Sequence, residues 1–196
     1  MLTSGCLHDE GEEEWPLKLH LGCGGIYLRG YVNINHVGEL TRDRPDLVEQ
    51  NATDVSNYYA RLDGDMEHIP ARRETVTDVL CDATWLIDEP GSVDKIVAIQ
   101  VFEHIPPIDS VWTLDGWYGL LKHGGVLVMS VPDMLDALDM PIDQMQRQLR
   151  GTKDNPHKAW YTQETLMEML EAVGFDVEVL PNFHFYPAIV VRAVKR

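Results

Sequence analysis

Several short clusters in this chain carry residue types suited to chemistry. Glu103-His104, followed by Ile105-Pro106-Pro107, sets a carboxyl beside an imidazole. Such a pair can move protons, or it can simply hold its loop by hydrogen bonds. Leu21-Gly22-Cys23-Gly24-Gly25 is a glycine bend. Without Cβ atoms the main chain lies open there, and its N–H groups can hold a carboxylate or phosphate. A plain tight turn is the other use of such a bend. Asn35, Asp82-Ala83 and Gln100 are spaced as single polar positions after apolar runs. An amide at Asn35 can bond two hydroxyls, and a carboxylate at Asp82 can accept from an amino group. His157, with Trp160 and Tyr161 close behind, offers a second imidazole beside two aromatic rings. The rings serve either to wall a pocket or to pack a helix entry.

These positions need elements to hold them. Leu17–Leu21 alternates into the glycine bend, so a strand is expected there, with others at 31–35, 77–81, 93–99 and 126–131. Helices are expected over 53–62, 109–121, 133–150 and 162–172, the last capped by Thr162 and closed by Gly174. Lys122-His123-Gly124-Gly125 reads as a helix stop. Two last strands at 176–180 and 188–194 form an antiparallel pair. Alternating strands and helices around near-continuous apolar strands predict a doubly wound α/β sheet with a hairpin at one edge. The candidate residues then fall at strand ends, where such sheets bind ligands.

Composition narrows the chemistry. The chain has 196 residues and a formal net charge of −16. Residues 1–15 hold five of the acidic side chains and are expected to form a flexible acidic tail; residues 16–196 form one domain. A surface of this sign repels phosphate backbones, so nucleic acid is not an expected partner. Neither a signal peptide nor a membrane span is visible. Three scattered cysteines make neither a disulfide framework nor a zinc motif, so no metal is expected and a cytoplasmic setting fits. Tyr27 stands where a dinucleotide fingerprint needs its third glycine, which argues against a nicotinamide oxidoreductase.

Taken in order, the glycine bend, Gly30-Tyr31-Val32-Asn33-Ile34-Asn35, Gly91-Ser92-Val93-Asp94-Lys95-Ile96, Glu103-His104-Ile105, Leu121-Lys122-His123-Gly124-Gly125-Val126-Leu127, Val131-Pro132-Asp133, His157-Lys158-Ala159-Trp160-Tyr161-Thr162 and Ala172-Val173-Gly174-Phe175 resemble the class I S-adenosylmethionine-dependent methyltransferases. The small methyltransferases of bacteria and phages are the nearest in pattern. The resemblance spans about residues 17–194. It implies a Rossmann-like, mostly parallel sheet of seven strands in order 3-2-1-4-5-7-6, with strand 7 antiparallel. It also implies S-adenosyl-L-methionine as cofactor, held by Gly22, Cys23, Gly24 and Gly25 at its amino acid end, Asn35 at the ribose, Asp82 and Ala83 at the adenine, and Gln100 near the sulfonium. His104 and His157 are the candidate catalytic bases.

Two features depart from that pattern. The ribose position usually carries Asp or Glu, and here it is Asn35. Only residues 22–30 separate the first two strands, fewer than a helical crossover needs, so the first helix is expected to be a single turn or missing. Both departures motivate the alternative of a degenerate fold that serves as a binding module. The Pro-Pro-aromatic motif of nucleic-acid amino-methyltransferases is replaced by Gln100-Val101-Phe102-Glu103, which disfavours nucleic acid, and the resemblance to the small methyltransferases implies a small-molecule or glycan acceptor. Phe183, Phe185, Tyr186 and Ile189 serve either a homodimer contact or the core.

Overall fold

A computed structural model describes residues 16–62, 74–86, 88–184 and 186–196. The proposed tail and Phe185 lie outside them. Seven strands form one sheet: β1 Lys18–Leu21, β2 Val32–Asn35, β3 Val79–Leu80, β4 Val93–Ile99, β5 Leu121–Pro132, β6 Phe175–Leu180 and β7 Ala188–Lys195. Their order is β3-β2-β1-β4-β5-β7-β6. All neighbours pair parallel except β7, which is antiparallel to both β5 and β6. The expected order and edge hairpin are thus present. Among the described residues no helix is long and apolar enough to cross a membrane.

Alternation along the strands sorts the core into two layers. Leu19, Leu21, Ile34, Ile96, Ala98, Leu127 and Met129 share one apolar cluster with Leu114, Trp117, Leu166 and Leu170. The helices on that face are therefore α3 (Pro107–Leu120) and α6 (Gln163–Val173). Val97, Ile99 and Val128 point the other way and pack with Leu28 and Tyr58, with Ile26, Tyr31, Tyr59 and Phe183 around them. Of the residues weighed for a dimer, Phe183 joins this second layer and Ile189 the first.

The second face lacks a helix between β1 and β2, as the short spacing implies. A looped segment covers the sheet instead, with its short strand Tyr27–Leu28 paired to Ala52–Thr53. Asn33 holds the segment down. This fully buried amide accepts from Leu28 N at 2.8 Å and from His20 Nδ1 at 2.9 Å. Its Nδ2 donates to the carbonyls of Leu28 and Tyr31, each at 3.1 Å. Asp78 completes the cluster, accepting from Asn33 N at 2.8 Å and from Tyr27 Oη at 2.9 Å.

Several boundaries differ from expectation. The 77–81 run is split into Val76–Thr77, paired with Glu39–Leu40, and β3. Between them the Asp78 carboxylate, rather than a main-chain carbonyl, takes the Asn33 N–H. A helix α1, Pro45–Asn51, precedes α2, Val55–Leu62. Its one buried apolar side chain, Leu47, is too little for a periodic signal. The 133–150 helix is two, α4 (Met134–Leu138) and α5 (Ile142–Arg150), because Pro141 has no N–H to continue the ladder. Lys122–Gly125 is part of β5. Leu121 pairs with Val93 and Val126 with Lys95, so these four residues bulge against one. At α6, Thr162 and Thr165 form the capping box and Gly174 adopts φ 117°, as the sequence implies.

Candidate active site

Strand order reverses between β1 and β4, and it is beyond the C-terminal strand ends at such a reversal that sheets of this kind bind ligands. Gly22–Gly25 follows β1 directly. Gly22 and Gly24 take φ of 60° and 53°, a region that strains other residues by about 1–2 kcal/mol. Their surroundings differ. A Cβ on Gly22 would come within 2.5 Å of Val101 Cγ2, so this glycine lets the loop after β4 press against the bend. A Cβ on Gly24 would meet only Gly22 O, at 3.9 Å, so open space lies over it. Cys23 differs from the expected ligand role. Its amide donates to Ile34 O, its Sγ approaches Val76 O at 3.6 Å, and burial pushes the thiol up to about 12. Its polar groups are used inside the protein.

Asn35 and Asp82 meet across the β2–β3 edge, where Asn35 pairs with Leu80 and Cys81 N donates to Asn35 O at 2.9 Å. Asn35 Nδ2 donates to Val37 O at 2.9 Å, which leaves Oδ1 as the acceptor. Asp82 Oδ1 takes Thr84 N at 2.9 Å and Thr84 Oγ1 at 2.8 Å, capping the turn Ala83–Trp85. Partial burial raises this carboxyl, but Thr84's two bonds, with His36 and Lys158 nearby, outweigh it and hold it below the usual range. Ala83 is anchored from behind: Trp117 Nε1 of α3 donates to its carbonyl at 2.9 Å.

After β4 the chain turns sharply. Gln100 is the one non-glycine residue among those described with positive φ, at 56°. Strain of this kind persists where neighbours enforce it. Here Ser130 does so: Gln100 N donates to Ser130 O at 2.9 Å, and Gln100 Nε2 to Ser130 Oγ at 3.3 Å. Ser130 Oγ also bonds His184 Nε2 at 2.9 Å, and the His184 ring stacks on Tyr186 at 4.7 Å. Sequence reasoning passed over Ser130 and His184. The signal was a His amid aromatics in the Asn182–Tyr186 connection.

The turn Phe102–His104 brings the remaining candidates together. Glu103 O accepts from Lys158 N at 2.8 Å and from Ala159 N at 3.1 Å, which clamps the 157–159 segment against the turn. The His104 and His157 rings meet edge to face at 4.9 Å. Between them lies Glu103, only 1% exposed, and burial raises its carboxyl to about 8. Burial lowers His104, and lowers His157 to about 4. Beside His157 opens a cleft of about 460 Å³ lined by Arg150, Lys153, Pro156 and Trp160, among others.

Comparison with known proteins agrees with this fold. A profile of the methyltransferase-domain family matches residues 33–180, about three quarters of the chain. No curated protein matches the sequence. Among solved structures, the Burkholderia thailandensis 1,6-didemethyltoxoflavin-N1-methyltransferase, with bound 1,6-didemethyltoxoflavin and S-adenosylhomocysteine, superposes with a TM-score of 0.56. It is 18% identical, over 92% of this chain and 71% of that one. A SAM-dependent methyltransferase of Methanosarcina mazei gives a TM-score of 0.53 at 15% identity, over 94% of each chain. With a family profile over most of its length, the chain belongs to the methyltransferase-domain family, and the class I S-adenosylmethionine-dependent lineage seen in its motifs is the one to which it is assigned.

Proposed function

We propose that the crevice beyond β1 and β4 binds S-adenosyl-L-methionine and that the protein transfers its methyl group to a small molecule or glycan. The open space over Gly24 at the strand-order reversal carries this reading. The donor set fits the cofactor in chemistry. Gly24 and Gly25 leave the main chain accessible to a charged amino acid end. Asn35 keeps one acceptor for a ribose hydroxyl, and Asp82 keeps Oδ2 for an amino group. Ala83 leaves room for a flat base, while Gln100, pinned by Ser130, faces the reacting end.

When bound, the cofactor supplies a methyl group already activated by its sulfonium. What remains for the protein is to orient two reactants and to receive a proton from the acceptor. His104 and His157 are the groups for that proton. His104 Nδ1 lies 3.0 Å from Pro156 O and must carry its own hydrogen there, so Nε2 is a lone pair. The net charge of −16 supports the acceptor class, since it disfavours nucleic acid.

Calorimetry with S-adenosylhomocysteine tests the cofactor site. The wild type should bind with micromolar affinity. Gly24→Val should stay folded by circular dichroism and lose affinity about 100-fold, or about 2.7 kcal/mol, because a branched side chain fills the open space. Unchanged affinity in the variant would remove the glycine bend from the cofactor site.

A further inference from the structure

Glu103 is a buried carboxyl with no hydrogen-bond partner for either oxygen among the described residues. Leaving such a group unpaired costs about 1–3 kcal/mol, and native proteins rarely keep one without a use. Two imidazoles face it. His104 Nε2 lies 3.8 Å and His157 Nε2 3.9 Å from Glu103 Oε1. The three atoms lie within 4.8 Å of one another.

We propose that Glu103, His104 and His157 bind one divalent transition-metal ion, with coordination positions left open for an oxygen of the methyl acceptor. Two imidazoles and one carboxylate suit zinc, iron, cobalt or nickel and disfavour magnesium and calcium, which prefer oxygen shells. Ligands about 2.1 Å from a common ion stand about 3.0–3.4 Å apart, so the two imidazoles need to approach Glu103 by roughly half an ångström and each other, from as much as 4.8 Å, by up to roughly 1.4 Å. The backbone is already arranged for it. Glu103 O takes the amides of Lys158 and Ala159, and His157 N donates to Arg150 O at 3.0 Å. The Pro156 carbonyl orients His104 through Nδ1, as an outer-shell partner does for a metal-bound imidazole. Asn155 Nδ2, 3.2 Å from His104 Nε2, must give way, and it sits on an exposed side chain. Lys158 is a cationic group near His104, and His36 is a further titratable side chain that faces it.

What the ion does for the acceptor rests on the methyl-transfer reading; its binding does not. With an ion bound, both Nε2 lone pairs would be taken, so in place of the base role of His104 and His157 the ion would make the acceptor hydroxyl acidic enough to lose its proton to water. The full chain, stripped with chelator, is titrated with Co²⁺ and Zn²⁺ by calorimetry and visible absorption. One site of micromolar or tighter affinity is expected, with cobalt d–d bands that shift on adding azide, since three protein ligands leave open positions. Glu103→Gln and His104→Ala should each weaken cobalt binding at least 100-fold. S-Adenosylhomocysteine affinity in the same variants should stay within threefold, showing an intact fold. Millimolar metal binding by the wild type, equal preference for Mg²⁺, variants within threefold of the wild type, or bands unmoved by azide would each overturn the proposal. Cobalt binding with no S-adenosylhomocysteine binding would uphold the metal site and remove the methyl-donor reading instead.

Discussion

Two polar clusters are buried in this sheet, and they are built on opposite terms. Around Asn33, both ends of the buried amide have partners, and through His20, Tyr27, Asp78 and the Leu28 and Tyr31 main chain they bind a loop where a helix is missing. Around Glu103, the carboxyl has none among the described residues, and two imidazoles stand just beyond bonding distance. Burial is the same in both, 0% and 1% exposed. The difference is satisfaction. A buried network with every partner in place rigidifies a fold, whereas a carboxyl left short of partners costs stability and is kept where a ligand completes it. The first cluster holds down the loop between β1 and β2, and the second lies in the turn after β4.

That contrast can be broken from either side. The largest effect is expected at Asn33→Leu, which strips partners from several buried groups. Urea unfolding should show a loss of about 3–5 kcal/mol, at about 1–3 kcal/mol for each group left unpaired. A loss under 1 kcal/mol would mean that the loop holds itself.

Next in size is a pH effect at His20, which burial lowers from 6.5 to about 4. Its folded value lies below the unfolded one, so the unfolded chain takes the proton first. Its contribution is whole above about pH 6.5 and is lost as pH falls toward 4, by about 3 kcal/mol. The difference in unfolding free energy between pH 7 and pH 4.5 should shrink in His20→Phe. Parallel slopes for the two proteins would contradict this.

Glu103→Gln is expected to act in the opposite direction. In chelator at pH 9, above the carboxyl's folded value of about 8, the amide removes a buried charge, and stability should rise by about 1–2 kcal/mol. Thermal unfolding checks it, and a fall would place Glu103 with the structural cluster. The smallest effect is expected at Asn35→Asp. A charged acceptor for the ribose gains about 1 kcal/mol, while the Nδ2 bond to Val37 O, worth about the same, is lost. S-Adenosylhomocysteine affinity should move by less than about threefold, and tenfold tightening would show that the Val37 contact contributes nothing.

The two clusters were unequally legible in the residues. Glu103-His104 and His157 stand out as chemistry-bearing types, but 52 positions of chain separate His104 from Pro156, which orients it. Nothing local announces that the 157–159 segment docks on Glu103. Asn33 looked like an ordinary polar position in a strand, and its role appears only when Leu28 and Tyr31 fold back on it. Cys23 sat in the right motif, yet its side chain turned inward, since a bend next to a buried strand sends alternate residues to opposite sides. The split of the 133–150 segment was in reach, because Pro141 marks it.

By itself the chain's pattern of apolar runs, glycines and caps determined the seven strands of the main sheet, its closing antiparallel pair and the missing first helix, while the strand order followed from the resemblance of its motifs to a known family. These follow from interactions between near neighbours and from the few connections a twisted parallel sheet allows. Only the tertiary structure decided which glycine faces open space, which polar groups are already bonded, and that Glu103 lies unpaired between two imidazoles. Such outcomes depend on contacts between distant segments at sub-ångström to ångström precision, and no local periodicity encodes those distances.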